Sequence, residues 1–189
     1  MQKLATAKRK IHKLITPPAV SAYAWLSKPD EDQQFSDGKY KVTLLLKKTD
    51  KETKKFLADL KKKADAAASE EWSEVPDDMI LPYKDGDEKD REDFQGRWML
   101  TAKTKFRPGM YDSATAPLKE GEEPRSGDIV RISFKLYPYH NTRGHGISAQ
   151  LVNVQLIDKR NVTESEFGEY EGGYVAGHSD DDFDDDEDF

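Results

Sequence analysis

Positive charges and aromatic rings share one face of several segments whose alternating pattern predicts β-strands. In residues 128–139, for example, Val130 and Ile132 lie on an apolar face, and the opposite face carries Arg, Lys and Tyr side chains. Because unpaired bases present ring faces and phosphates together, a surface of rings and cations can bind single-stranded nucleic acid with little sequence preference. The candidate residues for such a surface are Lys39, Lys41, Arg97, Lys103, Lys105, Phe106, Arg107, Tyr111, Arg131, Lys135, Tyr137, Tyr139 and Arg143.

The aromatic residues in this pattern have a second explanation, because Tyr and Trp are also ordinary residues of a small barrel. Trp98 and Tyr40 fall on the apolar sides of their segments, so both are predicted to be structural. For Tyr111, Tyr137 and Tyr139 the sequence leaves a packing role and a base-stacking role open.

Catalytic and metal-binding chemistry finds little support in the residue pattern. The four histidines are His12, His140, His145 and His178; His140 and His145 could meet across a hairpin, but a zinc site needs further ligands. The acids within 77–93 could hold Mg²⁺ for a nuclease, although acids in a proline-containing loop more often form a solvated loop. Phosphate-binding and nucleophile-elbow motifs do not occur. We therefore expect no enzymatic activity, no cofactor and no bound metal.

The composition favours a soluble protein of the cytoplasm. The 189 residues include no cysteine, which excludes disulfides and favours an intracellular setting. No apolar run approaches the roughly 18 residues of a membrane span, and the start of the chain lacks the apolar core of a signal peptide.

Five segments with alternating polarity and turn signals at their ends are predicted to be strands. They are residues 19–27, 39–47, 97–106, 128–139 and 147–158, with the last two joined by a glycine-containing hairpin loop. The sequence therefore predicts a mainly β protein, a small and mostly antiparallel barrel.

One helix is predicted between the second and third strands. Residues 49–52 fit a capping box, and apolar residues from Phe56 onward recur at three- and four-residue spacing as far as about Trp72. Residues 73–96 contain many acids and two prolines and are predicted to be a long polar connection.

The two ends of the chain have opposite charge. Residues 1–18 are predicted to be a basic arm, either a short helix or a flexible segment, before the domain of residues 19–160. Twelve of the 37 acidic residues follow Arg160 and no Lys or Arg does, so residues 1–160 have 30 basic and 25 acidic residues, a net charge of +5. Residues 161–189 are accordingly predicted to be an acidic, disordered tail.

The end of this acidic tail combines carboxylates with two phenylalanines. A tail of this charge can lie over basic surface of the domain and compete there with another polyanion. The candidate partner-binding residues of the tail are Asp180, Asp181, Asp182, Phe183, Asp184, Asp185, Asp186, Glu187, Asp188 and Phe189.

Four stretches in order give the chain a family resemblance. Residues 23–30 (YAWLSKPD), 38–42 (GKYKV), the hairpin that follows 136–139 (LYPY), and an acidic tail ending in Phe189 occur in this sequence. In this combination the chain resembles the single-stranded DNA-binding replication proteins of small tailed phages, the T-seven-like group.

This resemblance implies an OB-fold domain, a five-stranded antiparallel barrel, that coats and protects single-stranded DNA and assists annealing in phage replication, recombination and repair. It further implies a homodimer in the cytoplasm of the infected bacterium, and contacts of the tail with the replicative polymerase and helicase-primase that depend on Phe189. Two other functions stay open: an acidic adaptor or DNA mimic whose barrel touches no DNA, and a single-stranded RNA-binding OB protein.

Overall fold

The computed structural model describes residues 10–31 and 36–160. Eight strands and one α-helix form this part of the chain: β1 (His12–Ile15), β2 (Ala19–Trp25), β3 (Tyr40–Lys47), α1 (Lys51–Glu71), β4 (Tyr83–Asp85), β5 (Arg97–Thr104), β6 (Gly109–Tyr111), β7 (Ile129–Asn141) and β8 (Gly144–Asp158). Two short 3-10 turns, Gly86–Glu88 and Glu92–Phe94, lie between β4 and β5.

Five of these strands close into a barrel. The order is β7, β2, β3, β5 and β8, and β8 pairs back with β7 along the whole length of β7. The β5–β8 pairing is parallel, and the other four pairings in the barrel are antiparallel. In chain order α1 lies between the second and third barrel strands, so the predicted fold is confirmed.

The barrel interior is filled by the apolar faces that the alternation predicted. Val42 and Leu44 of β3, Leu100 of β5, and Ile132 and Phe134 of β7 are fully buried. Helix α1 covers one end, where the ring of Phe56 meets that of Phe134 edge to face at 6.3 Å. Over the described part of the chain, no helix is both long enough and apolar enough to cross a membrane.

The start of α1 differs from the predicted capping box. The helix begins one residue later than that motif requires, with Asp50 as its N-cap and no hydrogen bond from the Asp50 side chain. In this register Thr53 occupies the third helical position and is buried. Because the motif needs a Glu or Gln at that position, Glu52 cannot complete the box.

Residues 12–15, predicted to belong to a helical or flexible arm, form strand β1 instead. This strand pairs with β7, and its inward side chains His12 and Leu14 are buried. Thr16 continues the pairing with β7 through two hydrogen bonds of 3.0 Å. The Ile132 N–H donates to Thr16 Oγ1, and the Thr16 N–H donates to the Ile132 carbonyl. In this segment the exposed residues Lys13 and Ile15 alternate with the buried ones, which is a strand pattern too short to recognise without its partner.

The predicted polar connection 73–96 also contains ordered structure. Strand β4 pairs with β5, and the second 3-10 turn buries Phe94 completely. Phe94 packs with Leu45 and Met99 on the outer face of the sheet, which creates a second, small apolar cluster outside the barrel. The acidic composition of this segment indicated a solvated loop. The one apolar ring that anchors it, Phe94, was too little signal to predict ordered structure.

Candidate nucleic-acid interface

A groove of about 730 Å³ crosses the outer face of the barrel; we call it the main groove. Strands β2, β3, β5, β8 and β7 all contribute to it, together with the segment around β4. Its lining includes the side chains of Tyr23, Lys39, Lys84, Lys89, Thr101, Lys103, Lys105, Phe106, Tyr137, Tyr139, Arg143, Ser148 and Gln150.

Strand alternation places these side chains on one surface. On β5 the inward residue Ala102 is buried while its neighbours Thr101 and Lys103 face the main groove. On the adjacent strands β7 and β8, Tyr137 is the cross-strand partner of Ser148, and both side chains line the groove. The groove therefore lies on the outer surface of the sheet.

Tyr139 is held close to the β8 backbone because a glycine stands opposite it. Gly146 is the cross-strand partner of Tyr139, and a Cβ at that position would lie 2.5 Å from the Tyr139 ring and hydroxyl. The absence of a side chain therefore lets the ring lie across the hairpin at the edge of the main groove.

The charge of Lys103 is shared with a loop carboxylate. Lys103 Nζ lies 2.7 Å from Asp37 Oδ2 at the rim of the main groove. Partial burial acts to raise the pKa of Asp37, but the hydrogen bond and charge of Lys103, with Lys41 and Lys39 nearby, lower that pKa overall. Asp37 is therefore ionised at neutral pH and competes with any phosphate for Lys103.

Seven of the thirteen predicted binding residues meet in the main groove. The structure brings together Lys39, Lys103, Lys105, Phe106, Tyr137, Tyr139 and Arg143. Phe106 is the most exposed large apolar residue of the described chain, with 77% of its surface accessible. Of these seven, Lys103, Tyr137 and Tyr139 lie on strands and follow the period-two pattern, whereas Lys39, Lys105, Phe106 and Arg143 lie just outside the strands.

The other six predicted residues lie elsewhere. Lys41 forms an ion pair with the buried Asp30, and Arg107 pairs with Glu123 at 2.6 Å. The remaining four, which also do not line the main groove, are Arg97, Tyr111, Arg131 and Lys135. Both acidic partners come from loops, so the strand pattern gave no sign of these pairs.

Tyr111 and Arg131 line a smaller depression of about 250 Å³, which we call the second groove. Ile15, Asn153 and Gln155 also border it, and Arg131 Nε donates to Gln155 Oε1 at 2.6 Å. The second groove lies near the opposite end of β7 from Tyr139, and Lys135 occupies the outward face of β7 between the two.

Among the cations and rings of the main groove, sequence reasoning missed two lysines and one tyrosine. Lys84 and Lys89 come from the segment that was predicted to be a polar connection, and Tyr23 was assigned only to the first strand. Tyr83 and Asp85 flank Lys84 and are partly buried, so the short alternation at 83–85 was the available signal.

The two hairpin histidines stack on each other instead of forming a metal site. The rings of His140 and His145 are 4.2 Å apart, and His145 meets Trp72 edge to face at 4.9 Å. Within residues 10–31 and 36–160, no group of three or more His, Asp or Glu side chains is placed to hold a metal. The predicted tail residues Asp180–Phe189 lie outside the described residues.

A closed five-stranded barrel whose outer face carries an open groove of cations and rings defines the class of OB-like proteins. A family model described as the ssDNA-binding protein of Enterobacter phage Enc34 matches residues 12–189. The chain belongs to this family.

One relative and two solved structures are also similar to the chain. The protein p50 of Acyrthosiphon pisum secondary endosymbiont phage 1 is 37% identical over 75 residues, which cover 39% of this chain and only 40% of p50. The single-stranded DNA-binding protein of bacteriophage Enc34, solved in complex with ssDNA, has 20% identity and a TM-score of 0.64, with 85% of this chain and 97% of that chain covered.

The single-stranded DNA-binding protein gp2.5 of bacteriophage T7 has 21% identity and a TM-score of 0.63, and the match covers 88% of this chain and 100% of that chain. At these identities the two solved structures show a shared fold. The resemblance to phage ssDNA-binding proteins, and with it the OB-like fold, is confirmed.

Proposed function

We propose that this protein binds single-stranded DNA in the main groove without catalysing a reaction. The observation that carries the proposal is the meeting of cations and rings on the outer face of an OB-like barrel. The family match adds support, because the family is described by ssDNA binding.

The lining of the main groove suits a flexible strand with exposed bases. Lys39, Lys103, Lys105 and Arg143 provide positive charge for phosphates, while Tyr137 and its neighbours provide ring faces. Base stacking on aromatic rings tolerates any sequence, and phosphate contacts make the affinity depend on salt. The protein is therefore suited to coating and protecting single strands and to assisting their annealing.

Substitution of the two β7 tyrosines tests this proposal. Tyr137→Ala and Tyr139→Ala should each weaken binding to oligo-dT by about 1–3 kcal/mol, roughly 5- to 150-fold, if each ring stacks on a base. Fluorescence anisotropy with labelled oligo-dT measures the loss, and thermal unfolding measures stability. Tyr137→Phe and Tyr139→Phe, which keep the rings, should bind within about twofold of the parent.

Two separate lysine substitutions, one inside the main groove and one outside it, test the electrostatic part of the proposal. Lys105→Ala removes a charge from the main groove, whereas Lys62→Ala removes the same charge from the exposed surface of α1. Only Lys105→Ala should weaken binding, and it should lower the slope of log affinity against log salt by about the value of one phosphate contact.

The tyrosine variants also define the outcome that contradicts the proposal. If they lose stability without losing affinity, the main groove is not the binding site.

The six predicted residues outside the main groove enter the proposal as contacts for longer strands. Lys135 links the main groove to Tyr111 and Arg131 along the outward face of β7, while Lys41 and Arg107 would have to exchange acidic partners for phosphate. Arg97 lies on the same face of β5 as Lys103. Their substitution should affect long oligonucleotides more than short ones.

The proposal extends to the acidic residues 161–189. Their charge is opposite to that of the main groove, which supports a tail that competes with DNA and recruits the replicative polymerase and helicase-primase, with Phe189 as the key contact. Because β1 belongs to the sheet of the domain predicted at 19–160, only the basic residues before His12 would serve as an arm. The protein would act as a homodimer in replication, recombination and repair in the host cytoplasm.

Competition between oligomers separates this proposal from its rivals. Because cations and rings do not distinguish the sugars, RNA must be tested beside DNA and duplex. Stronger retention of an RNA oligomer would make this an RNA-binding protein. Failure to retain any single strand at low salt would favour an acidic adaptor or DNA mimic, which the net charge of +5 on residues 1–160 argues against.

A further inference from the structure

We propose that Tyr23 is a base-stacking residue of the main groove, fixed in position by a bulge in β2 and by Arg91. The inference deepens the proposed function and rests on it. Tyr23 lines the main groove, yet 46% of its surface is exposed, which is unusual for a ring in the middle of a strand.

The backbone at Tyr23 has an unfavourable conformation. Its φ is +48°, one of only two positive values at non-glycine residues in the described chain. The register of β2 against β3 shifts between Ala22 and Trp25, so Tyr23 sits in a bulge. A bulge redirects the side chain of the residue that it contains. A left-handed backbone at a residue with a bulky side chain costs free energy, and such residues are found mostly at functional sites. Glycine would satisfy this backbone better, so the side chain itself requires an explanation.

Three contacts hold the exposed ring still. The Tyr23 ring meets the buried Phe94 edge to face at 5.9 Å. The guanidinium of Arg91 lies 4.5 Å from the centre of the Phe94 ring and 5.8 Å from that of Tyr23, and Arg91 Nη1 donates to the Tyr23 hydroxyl at 3.2 Å. Asp93 in turn anchors Arg91 at 2.7 Å. A ring that is already fixed loses little freedom when a base stacks on it.

Tyr23 also complements the two tyrosines proposed on β7 by its place in the groove. It stands on β2 at one margin, whereas Tyr137 and Tyr139 stand on β7 at the other, reached across β3, β5 and β8. Strand β2 also pairs with β7 directly, but only through Ala19 and Val20, so on the groove side the path from Tyr23 to the β7 tyrosines runs over β3, β5 and β8. Lys103 on β5 lies between the margins, so bases can stack at both ends of the groove while phosphates meet lysine in the middle.

Tyr23→Gly is the decisive variant because it relieves the backbone and removes only the ring. We expect an unfolding temperature within a few degrees of the parent and at least a fivefold loss of affinity for oligo-dT of about 16 nucleotides, the upper range for one OB fold. The loss should be smaller for oligomers of about 4 nucleotides, which can bind at the β7 margin alone. Tyr23→Phe should bind within about twofold of the parent, because the ring remains.

A second variant tests the same role of Tyr23 if the first variant does not fold. If Tyr23→Gly is unstable, Tyr23→Asn tolerates the same backbone and gives the same comparison. Tyr137→Ala, measured in parallel, separates the two proposals. Loss in Tyr137→Ala with none in a folded Tyr23 variant overturns the role of Tyr23 alone, whereas no loss in either overturns the main groove as the binding site. A loss that is equal for short and long oligomers also contradicts a place at the far margin.

Discussion

Single residues decide how much of the groove's charge is available to DNA. Lys41 and Lys103 both face acids, but Asp30 is buried with Lys41 while Asp37 stands at the rim of the main groove beside Lys103. The strand pattern predicted that both lysines point outward. It could not show that a carboxylate outside the strands meets each of them, because that depends on where Asp30 and Asp37 lie in the folded chain.

At this scale we predict that Asp37→Asn tightens binding to single-stranded DNA at low salt. Lys103 is then free to meet phosphate, and the gain should stay below about fivefold because an exposed ion pair is worth about 0.2–1 kcal/mol. Because the pKa of Asp37 is lowered, the pair is present at neutral pH and is lost only as the pH falls through that lowered value. The difference between parent and variant should therefore persist across neutral pH in anisotropy titrations.

Asp65→Asn is the matched control, since it removes the same charge from the Lys61–Asp65 pair on α1, away from the main groove. An equal gain in both variants would show that net charge, rather than release of Lys103, is responsible.

The elements show where sequence patterns succeed and where they fail. The long strands β3, β5, β7 and β8 were predicted because each repeats its alternation several times. Strands β1 and β4 have four and three residues, and both owe their existence to partners far along the chain, so their own sequences carry too little signal. The Tyr23 bulge was missed for a related reason, since bulges break the period on which strand prediction depends.

The β7–β8 hairpin gives a prediction at the scale of elements. Gly146→Ala should displace the Tyr139 ring, because the new methyl group would lie 2.5 Å from it. The ring is the far end of a side chain and can move, so the barrel should keep most of its stability while affinity for oligo-dT falls toward that of Tyr139→Ala. Thermal unfolding and anisotropy measured together check this, and Gly146→Ala combined with Tyr139→Ala should add no further loss of affinity.

The whole molecule is organised by opposite charges on its two parts. Residues 1–160 carry +5, and the last 29 residues carry twelve acids with no Lys or Arg. This separation is a property of composition, so it could be obtained from sequence without any structure. The place of the positive charge could be predicted only in part, because Lys39, Lys103 and Lys105 were recognised but Lys84 and Lys89 come from the segment around β4, which was predicted to be a polar connection.

Deletion of residues 177–189 should tighten binding to oligo-dT at low salt, because a competing polyanion is removed, and the gain should shrink as salt screens the charges. The same deletion should abolish association with the replicative polymerase in a pull-down. Phe189→Ala, which keeps every acid, should leave DNA affinity unchanged and lose the polymerase. Unchanged affinity after the deletion would contradict the competition.

The pairing of β1 with β7 has a consequence during translation. Thr16 reaches its hydrogen-bond partner Ile132 across 116 residues, and β2 likewise waits for β7. At about 5–20 residues per second, a ribosome needs roughly 6 to 23 s to deliver that partner. Two-state barrels of this kind complete their own folding in about milliseconds to seconds. Until β7 is made, β1 therefore lacks its strand partner and β2 has only one of its two partners, so both present an unpaired edge on the nascent chain.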